Sequence, residues 1–195
     1  MYHVLQRCAI LVSRMALTMP PPMFHDMVRA TASWPDLCRR LISTSATLSH
    51  ARSRKLVALG LAHMLRHASA QDKGLLSAVP DMIGMWTEVV GEVVEDEAGS
   101  ADRYERELSP TRALEIGEDG IPFLDEFGLI EAAPTPSSAR TDAVRSRDPS
   151  FNVPLRAYVA DTLNAVLQNG SYKTQLQSLL ATSEPWVLAA LRRGL

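Results

Sequence analysis

The sequence predicts an all-α protein, a run of stacked helical pairs that forms part of an α-solenoid. Three observations carry that prediction. Leu56, Leu59, Leu61, Met64 and Leu65 recur at three- and four-residue steps within residues 49–68, the spacing of a helical face. This tract is apolar round more than half its circumference, so other helices must cover it on at least two sides. Similar periodicities recur along the chain between short turns. The one long interruption, residues 97–152, is acidic and rich in proline and serine.

A first helix is expected from Tyr2 to Leu17, with Val4, Leu5, Cys8, Leu11, Val12 and Met15 as its buried stripe and Arg7 and Arg14 on the other side. Pro20-Pro21-Pro22 cannot continue it, because each proline lacks an amide hydrogen and fixes φ. The same prolines suit the first turn of a second helix, Met23 to Ala32, with Phe24, Met27 and Val28 inward. Trp34-Pro35-Asp36 opens a third, to Ser43, with Leu37, Leu41 and Ile42 as its apolar set. The tract at 49–68 is the fourth, and Gly60 within it would allow close helix approach.

Lys73 to Ala78 starts another helical stretch, and Asp81 to Asp96 continues after Pro80, which either ends a helix or bends it. The valines at 89, 90, 93 and 94 suit a strand, but Glu88, Glu92 and Glu95 fall on one helical side, which decides for helix. Between 97 and 152 the pattern fails, apart from an apolar island from Ile121 to Ile130, and a disordered acidic loop is expected. Order is expected to return at Val153-Pro154, with Leu155, Tyr158, Val159, Leu163, Val166 and Leu167 on a helix stopped by Asn169-Gly170. A helix from Tyr172 to Ala181 follows, with Leu176, Leu179 and Leu180 inward. Ser183-Glu184-Pro185-Trp186 then opens a last one running to Arg193. Helices of this length at intervals near 40 residues suggest paired repeats of the HEAT kind. The predicted layout is therefore HEAT-like helical repeats over 1–96, an acidic loop or linker over 97–152, and C-terminal helices over 153–195 packing on the same solenoid.

Composition limits the function. A chain of 195 residues, 46% hydrophobic and 22% charged, is long enough for one substantial core. A net charge of −2 argues against nucleic-acid binding by bulk electrostatics. The charge is segregated, however. Residues 1–87 carry ten Lys/Arg against four acids, and 88–131 carry fourteen acids against three arginines. Cys8 and Cys38 both sit in apolar helical patterns, so two buried thiols are expected and no disulfide framework. No run reaches the roughly 18 apolar residues needed to cross a bilayer, so no membrane insertion is expected. The first 23 residues carry arginines and no acids, as a targeting peptide would, but their apolar spacing continues into the next helix.

Catalytic patterns are missing from the sequence. His63 and His67 lie four apart, yet Met64 follows His63, so His-Glu-x-x-His is absent and no third ligand has metal-site spacing. Both read as surface histidines. No glycine loop ends in Gly-Lys-Ser/Thr, and there is no Gly-x-Ser-x-Gly elbow. Neither an enzyme nor a cofactor is expected. Trp34, Trp86 and Trp186 lie in apolar helical patterns and read as core residues. Arg52, Arg54 and Lys55 crowd the start of a helix, where cations are unfavourable. Solvent exposure is their default, with an acidic partner or the chain's own acidic stretch as the alternatives.

The run from Trp34 to Leu65, with Arg54-Lys55-Leu56-Val57-Ala58-Leu59-Gly60-Leu61-Ala62-His63-Met64-Leu65 at its heart, resembles the late repeats of importin-β (karyopherin-β) family nuclear transport receptors. It is most similar to the importin-eleven branch. Upstream, Val4-Leu5, Ser13 to Leu17 and Phe24 are similar to the preceding repeat. Downstream, Met85-Trp86 with Val89 and Glu92, the acidic loop, and Ser146-Arg147-Asp148-Pro149 leading into Asn152-Val153 are similar to the family's C-terminal end.

The resemblance implies a protein-binding fragment of a nuclear import receptor, carrying protein cargo through the pore under Ran control. Ran-GTP and phenylalanine-glycine (FG) nucleoporins would be partners of the full-length receptor, and the location would be cytoplasm and nucleus. The alternative is a helical-repeat scaffold with no transport role. The candidate partner-binding residues are the acids Glu92, Glu95, Asp96, Glu97 and Asp102 and the cations Arg52, Arg54 and Lys55, chosen from the charge segregation.

Overall fold

The computed structural model describes residues 2–69, 71–99, 148–168 and 170–181, all of it helix and connecting turn with no strand among the described residues. Residues Met1–Val93 and Asp148–Leu195 form one compact unit, and Val94–Arg147 form another. Helix α1 spans Tyr2–Thr18, α2 Pro21–Thr31, α3 Trp34–Ser45 and α4 Ala51–Arg66. After these come α5 (Lys73–Leu76), α6 (Val79–Gly99), α7 (Pro149–Asn152), α8 (Leu155–Gln168) and α9 (Gly170–Ala181).

Local chemistry sets the boundaries. Pro21 and Pro22 occupy the first turn of α2, where the amides they lack would have had no intrahelical partner. Ser33 caps α3 by accepting from the Asp36 amide, and Asp36 lies at the positive end of the helix dipole. Pro80 resolves as the second residue of α6, so it starts that helix and does not bend one. The short α7 was hidden in the sequence. The chain returns to the helical unit at Asp148, ahead of Val153, because Asp148 caps α7 through the Ser150 amide and Pro149 fits its first turn.

Helix α4 is the axle. Leu56 to Ala62, Met64 and Leu65 are all buried, and α1, α3, α7 and α8 pack on it. Helix α6 adds cover from a greater distance through Trp86, whose Nε1 donates to the Ala58 carbonyl at 3.0 Å. Burial of a leucine of this kind contributes about 1.5–3 kcal/mol.

Direction along α4 can be read from cross-helix pairs. Gln6 reaches Thr47 and Ser13 meets Gly60, so α1 runs parallel to α4. Phe151 of α7 meets Arg52 and Tyr158 of α8 meets His63, so the α7–α8 segment advances along α4 in its direction on another side. Trp86 meets Ala58 while Glu92 meets Arg54, so α6 runs antiparallel. Parallel helices α1 and α4 thus occupy equivalent places one repeat apart. The offset between Ser13 and Gly60 falls in the ~40–47-residue range of HEAT-type pairs.

The stripe expected on α1 is out of phase with the observed one. Ala9, Ser13 and Ala16 face the core, while Val4, Leu5, Cys8 and Leu11 are exposed and Val12 and Met15 are only partly buried. The reason lies in α4. A Cβ placed on Gly60 would sit 2.8 Å from Ser13 Cβ and 3.0 Å from Ser13 Cα, so the two backbones nearly touch. Only small side chains fit such a seam, and the Ser13 hydroxyl is satisfied by donating to the Ala9 carbonyl at 2.8 Å. The expectation of two buried thiols fails for Cys8, which is exposed. It holds for Cys38, which is fully buried and whose thiol is pushed by burial up to about 12.

The other helices follow their patterns. Phe24 and Val28 on α2, Leu41 on α3, and Leu155, Val159, Leu163 and Val166 on α8 are buried, and so are Trp34 and Trp86. The expected loop, its apolar island and the last helix with Trp186 lie outside the described residues, as do the side chains of Leu179 and Leu180.

Two glycine-to-alanine changes test this packing. Gly60→Ala should destabilise the chain, because overpacking costs about 1–3 kcal/mol against a helix-propensity gain of about 1. Gly91→Ala, where nothing lies within 4 Å, should stabilise it by roughly 0.5–1 kcal/mol. Urea unfolding of both variants checks the contrast in sign.

Candidate protein-binding surface

The cations expected at the start of α4 are there, but they are not simply solvated. Arg54 is mostly buried, with its side chain 14% exposed. It donates from Nη1 to Glu92 Oε1 and from Nη2 to Glu88 Oε2 at 3.3 Å. Glu88 and Glu92 are one turn apart on α6, so both carboxylates reach the same guanidinium. The Arg52 guanidinium lies 3.6 Å over the Phe151 ring of α7, a cation–π contact. Lys55 is 7% exposed, its stem taken into the core. Helix α4 starts with no acid in its first turn and no side-chain cap, so these cations oppose its dipole, and Glu88 and Glu92 offset that locally.

Of the eight expected partner-binding residues, the structure therefore brings Arg54 and Glu92 together and places Arg52 and Lys55 on the same helix end. Glu95, Asp96 and Glu97 continue α6, but their side chains lie outside the described residues, and so does Asp102 altogether. Glu88 remains largely exposed, so its pair with Arg54 contributes less than about 1 kcal/mol.

A second charge link holds the returning chain. Arg14 Nη2 donates to Asp148 Oδ2 at 2.7 Å, while Asp148 Oδ1 accepts from the Ser150 amide and hydroxyl. Burial would raise the Asp148 carboxyl, but the Ser150 bonds and Arg14 outweigh it, and its pKa lies below the ordinary value.

Sequence reasoning missed the most heavily bonded group. Asp72, fully buried, accepts from Trp34 Nε1 at 2.8 Å and Arg29 Nε at 3.1 Å through Oδ1, and from the Ser69 amide and hydroxyl, both at 2.8 Å, through Oδ2. His25 Nδ1 also lies 3.0 Å from Oδ2. One carboxylate thereby ties α2, α3 and the turn after α4. Burial raises its pKa, but the bonds from Ser69 and His25 more than reverse this, leaving it below the ordinary value. The only hint in the sequence was Ser69 three residues before an acid at a helix start.

His63 was expected at the surface and is half-buried, its Nδ1 2.7 Å from the Tyr158 hydroxyl. The His67 ring lies 4.5 Å from its own, centroid to centroid. Burial, then the nearby His67 and Arg66, pushes its pKa down to about 4, so it joins α4 to α8 as a neutral imidazole. Among the described residues no group of three or more His, Cys, Asp or Glu could hold a metal ion. Nor is any described helix long and apolar enough to cross a membrane.

A family model described as importin-11-like, TPR repeats, matches residues 2–195. The chain belongs to the importin-11-like family. This agrees with the resemblance carried by Trp34 to Leu65 and with the all-α repeat fold, although the family's description gives TPR for repeats whose spacing here is HEAT-like. No curated protein matches, and no solved structure matches. Within this importin-11-like fold the described surface offers charge arranged along the α4–α6 edge.

The buried groups predict an acid-sensitive stability. His63 has a folded pKa below its unfolded value of 6.5, so the unfolded chain binds its proton first and stability falls as pH drops from about 6.5 through about 4. Asp72 has a depressed folded pKa, so its contribution is full above 3.8 and is lost as pH falls through the folded value. Melting temperature against pH should lose part of the upper limb in His63→Gln. Asp72→Asn should cost about 3–5 kcal/mol near neutrality. An upper limb unchanged in His63→Gln counts against the His63–Tyr158 assignment.

Proposed function

We propose that this chain is a protein-binding part of a nuclear import receptor, acting non-catalytically by carrying protein cargo through the nuclear pore under Ran control. Membership of the importin-11-like family over residues 2–195 is the observation that carries the reading. Ran-GTP and FG nucleoporins would be partners of the whole receptor, which would move between cytoplasm and nucleus.

We place the partner contact on the acidic side of the α4–α6 edge. Glu88 and Glu92 project there beyond the α4 cations, and the sequence continues with Glu95, Asp96, Glu97 and Asp102. The motivation is electrostatic: fourteen acids between 88 and 131 make this the most acidic stretch of the sequence, and it suits a basic protein segment. Arg54 would then act from within. By holding Glu88 and Glu92 it fixes their positions, and a basic partner would compete with it for their free oxygens. Arg52 and Lys55 belong to the same edge as support for α4's start.

A binding assay with a protein bearing a basic import signal tests this. Affinity should fall by an order of magnitude or more between low and physiological salt, since exposed charges are screened over about 8–10 Å there. Glu88→Lys with Glu92→Lys should weaken it further. Salt-indifferent affinity, or no binding by the intact chain, contradicts the placement. Capture of Ran and FG nucleoporins from nuclear extract supports transport, whereas their absence beside a stable different partner supports a scaffold role.

A further inference from the structure

Helix α6 runs antiparallel to α4, so it arrives at the start of α4, where Glu92 meets Arg54. The chain returns to the helical unit at the same place. Asp148 accepts from Arg14 on α1, and Phe151 of α7 lies under the Arg52 guanidinium. Arg52 and Arg54 are two residues apart, about 3 Å along the helix axis, so departure and return are level at the first turn of α4. From there α7 and α8 advance with α4, and Tyr158 reaches His63 towards its far end. Helices α6 and α8 therefore run antiparallel, as the two members of a helical pair do.

Such a pair needs only a short connection, roughly 2–8 residues. Elsewhere in the unit the turns are of that size. Met19–Pro20 joins α1 to α2, Ala32–Ser33 joins α2 to α3, and Ala46–His50 joins α3 to α4. Both members of the pair also carry buried apolar faces, with Met82, Ile83, Trp86, Val89 and Val90 on α6 and Leu155, Val159 and Leu163 on α8. Residues up to Val93 and from Asp148 onward form one compact unit without Val94–Arg147. We infer that residues 94–147 are an insertion in the turn of the α6–α8 pair, an accessory added to a repeat that is complete without it. Arg14, Arg52 and Arg54 secure the two points of attachment on α1 and α4, so length and sequence between them can change without moving α8 along α4. The inference goes beyond the partner contact proposed above and holds with or without it.

Replacement of the insertion tests this. Residues 100–147, from the end of α6 to Asp148, are exchanged for about eight glycine and serine residues, which reach about 26 Å when extended. A second variant carries glycine and serine over the whole length of the segment and separates sequence from length. Both should keep the helical circular-dichroism spectrum. The short variant should melt at or above the temperature of the full chain, because a shorter connection costs less entropy to close. Register is read separately by nuclear magnetic resonance: the His63 titration should keep its depressed midpoint at about 4 in both variants. The inference is overturned if the short variant melts below the full chain. Folding of the long variant alone would put the two ends too far apart for a turn, and folding of neither would make the segment part of the fold. A His63 midpoint back at the ordinary 6.5 would mean that α8 has left α4, which overturns it as well.

Discussion

From Leu56 to Leu65 only His63 on α4 has more than marginal contact with water, so every neighbouring helix has to be arranged as cover. The approach at Gly60 sets the closest of these contacts. It brings the α1 and α4 backbones together at Ser13 and admits only alanine and serine to that seam. The large side chains are displaced elsewhere: Trp86 spans the wider gap between α6 and α4, and Leu155, Val159 and Leu163 are buried on α8. A narrow contact on one side and wide ones on the others is what close packing demands of a helix whose side chains differ in size round its circumference.

Polar groups fix the register that apolar burial leaves open. Asp72 fastens three segments through one carboxylate, Trp86 reaches the Ala58 carbonyl, and His63 meets Tyr158, each tying a side chain on one element to a definite point on another. Charge at the start of α4 has a different part. Its cations oppose the helix dipole, and the acids of α6 that hold Arg54 offset this at that edge.

Much of the fold could be read from the sequence because helices announce themselves by spacing. The α2 and α8 stripes, the proline-started turns and the burial of Trp34 and Trp86 all followed from periodicity and backbone chemistry. The phase of α1 did not, since Val4, Leu5, Cys8 and Leu11 form a sound amphipathic stripe that faces away from this core. Hydrophobicity marks a face that is to be covered, and it does not say by what. Asp72 and His25 were missed because a buried carboxylate is defined by donors from distant residues. The α4–α6 edge was half legible: charge segregation pointed to Arg54 and Glu92, but only the antiparallel course of α6 pairs them. Helix α7, four residues long, is too short for any period to show.

The central claim is that α4 is the element on which the others depend. Native-state hydrogen exchange measures this directly, because amides that open only with the whole unit report its global stability. The amides of Leu56 to Leu65 should be the slowest in the chain and share a single opening free energy equal to that from denaturant unfolding, with α1, α8 and α9 opening at lower free energies. Exchange in α4 as fast as in α1, or a slowest core located in α8 and α9, would contradict the account.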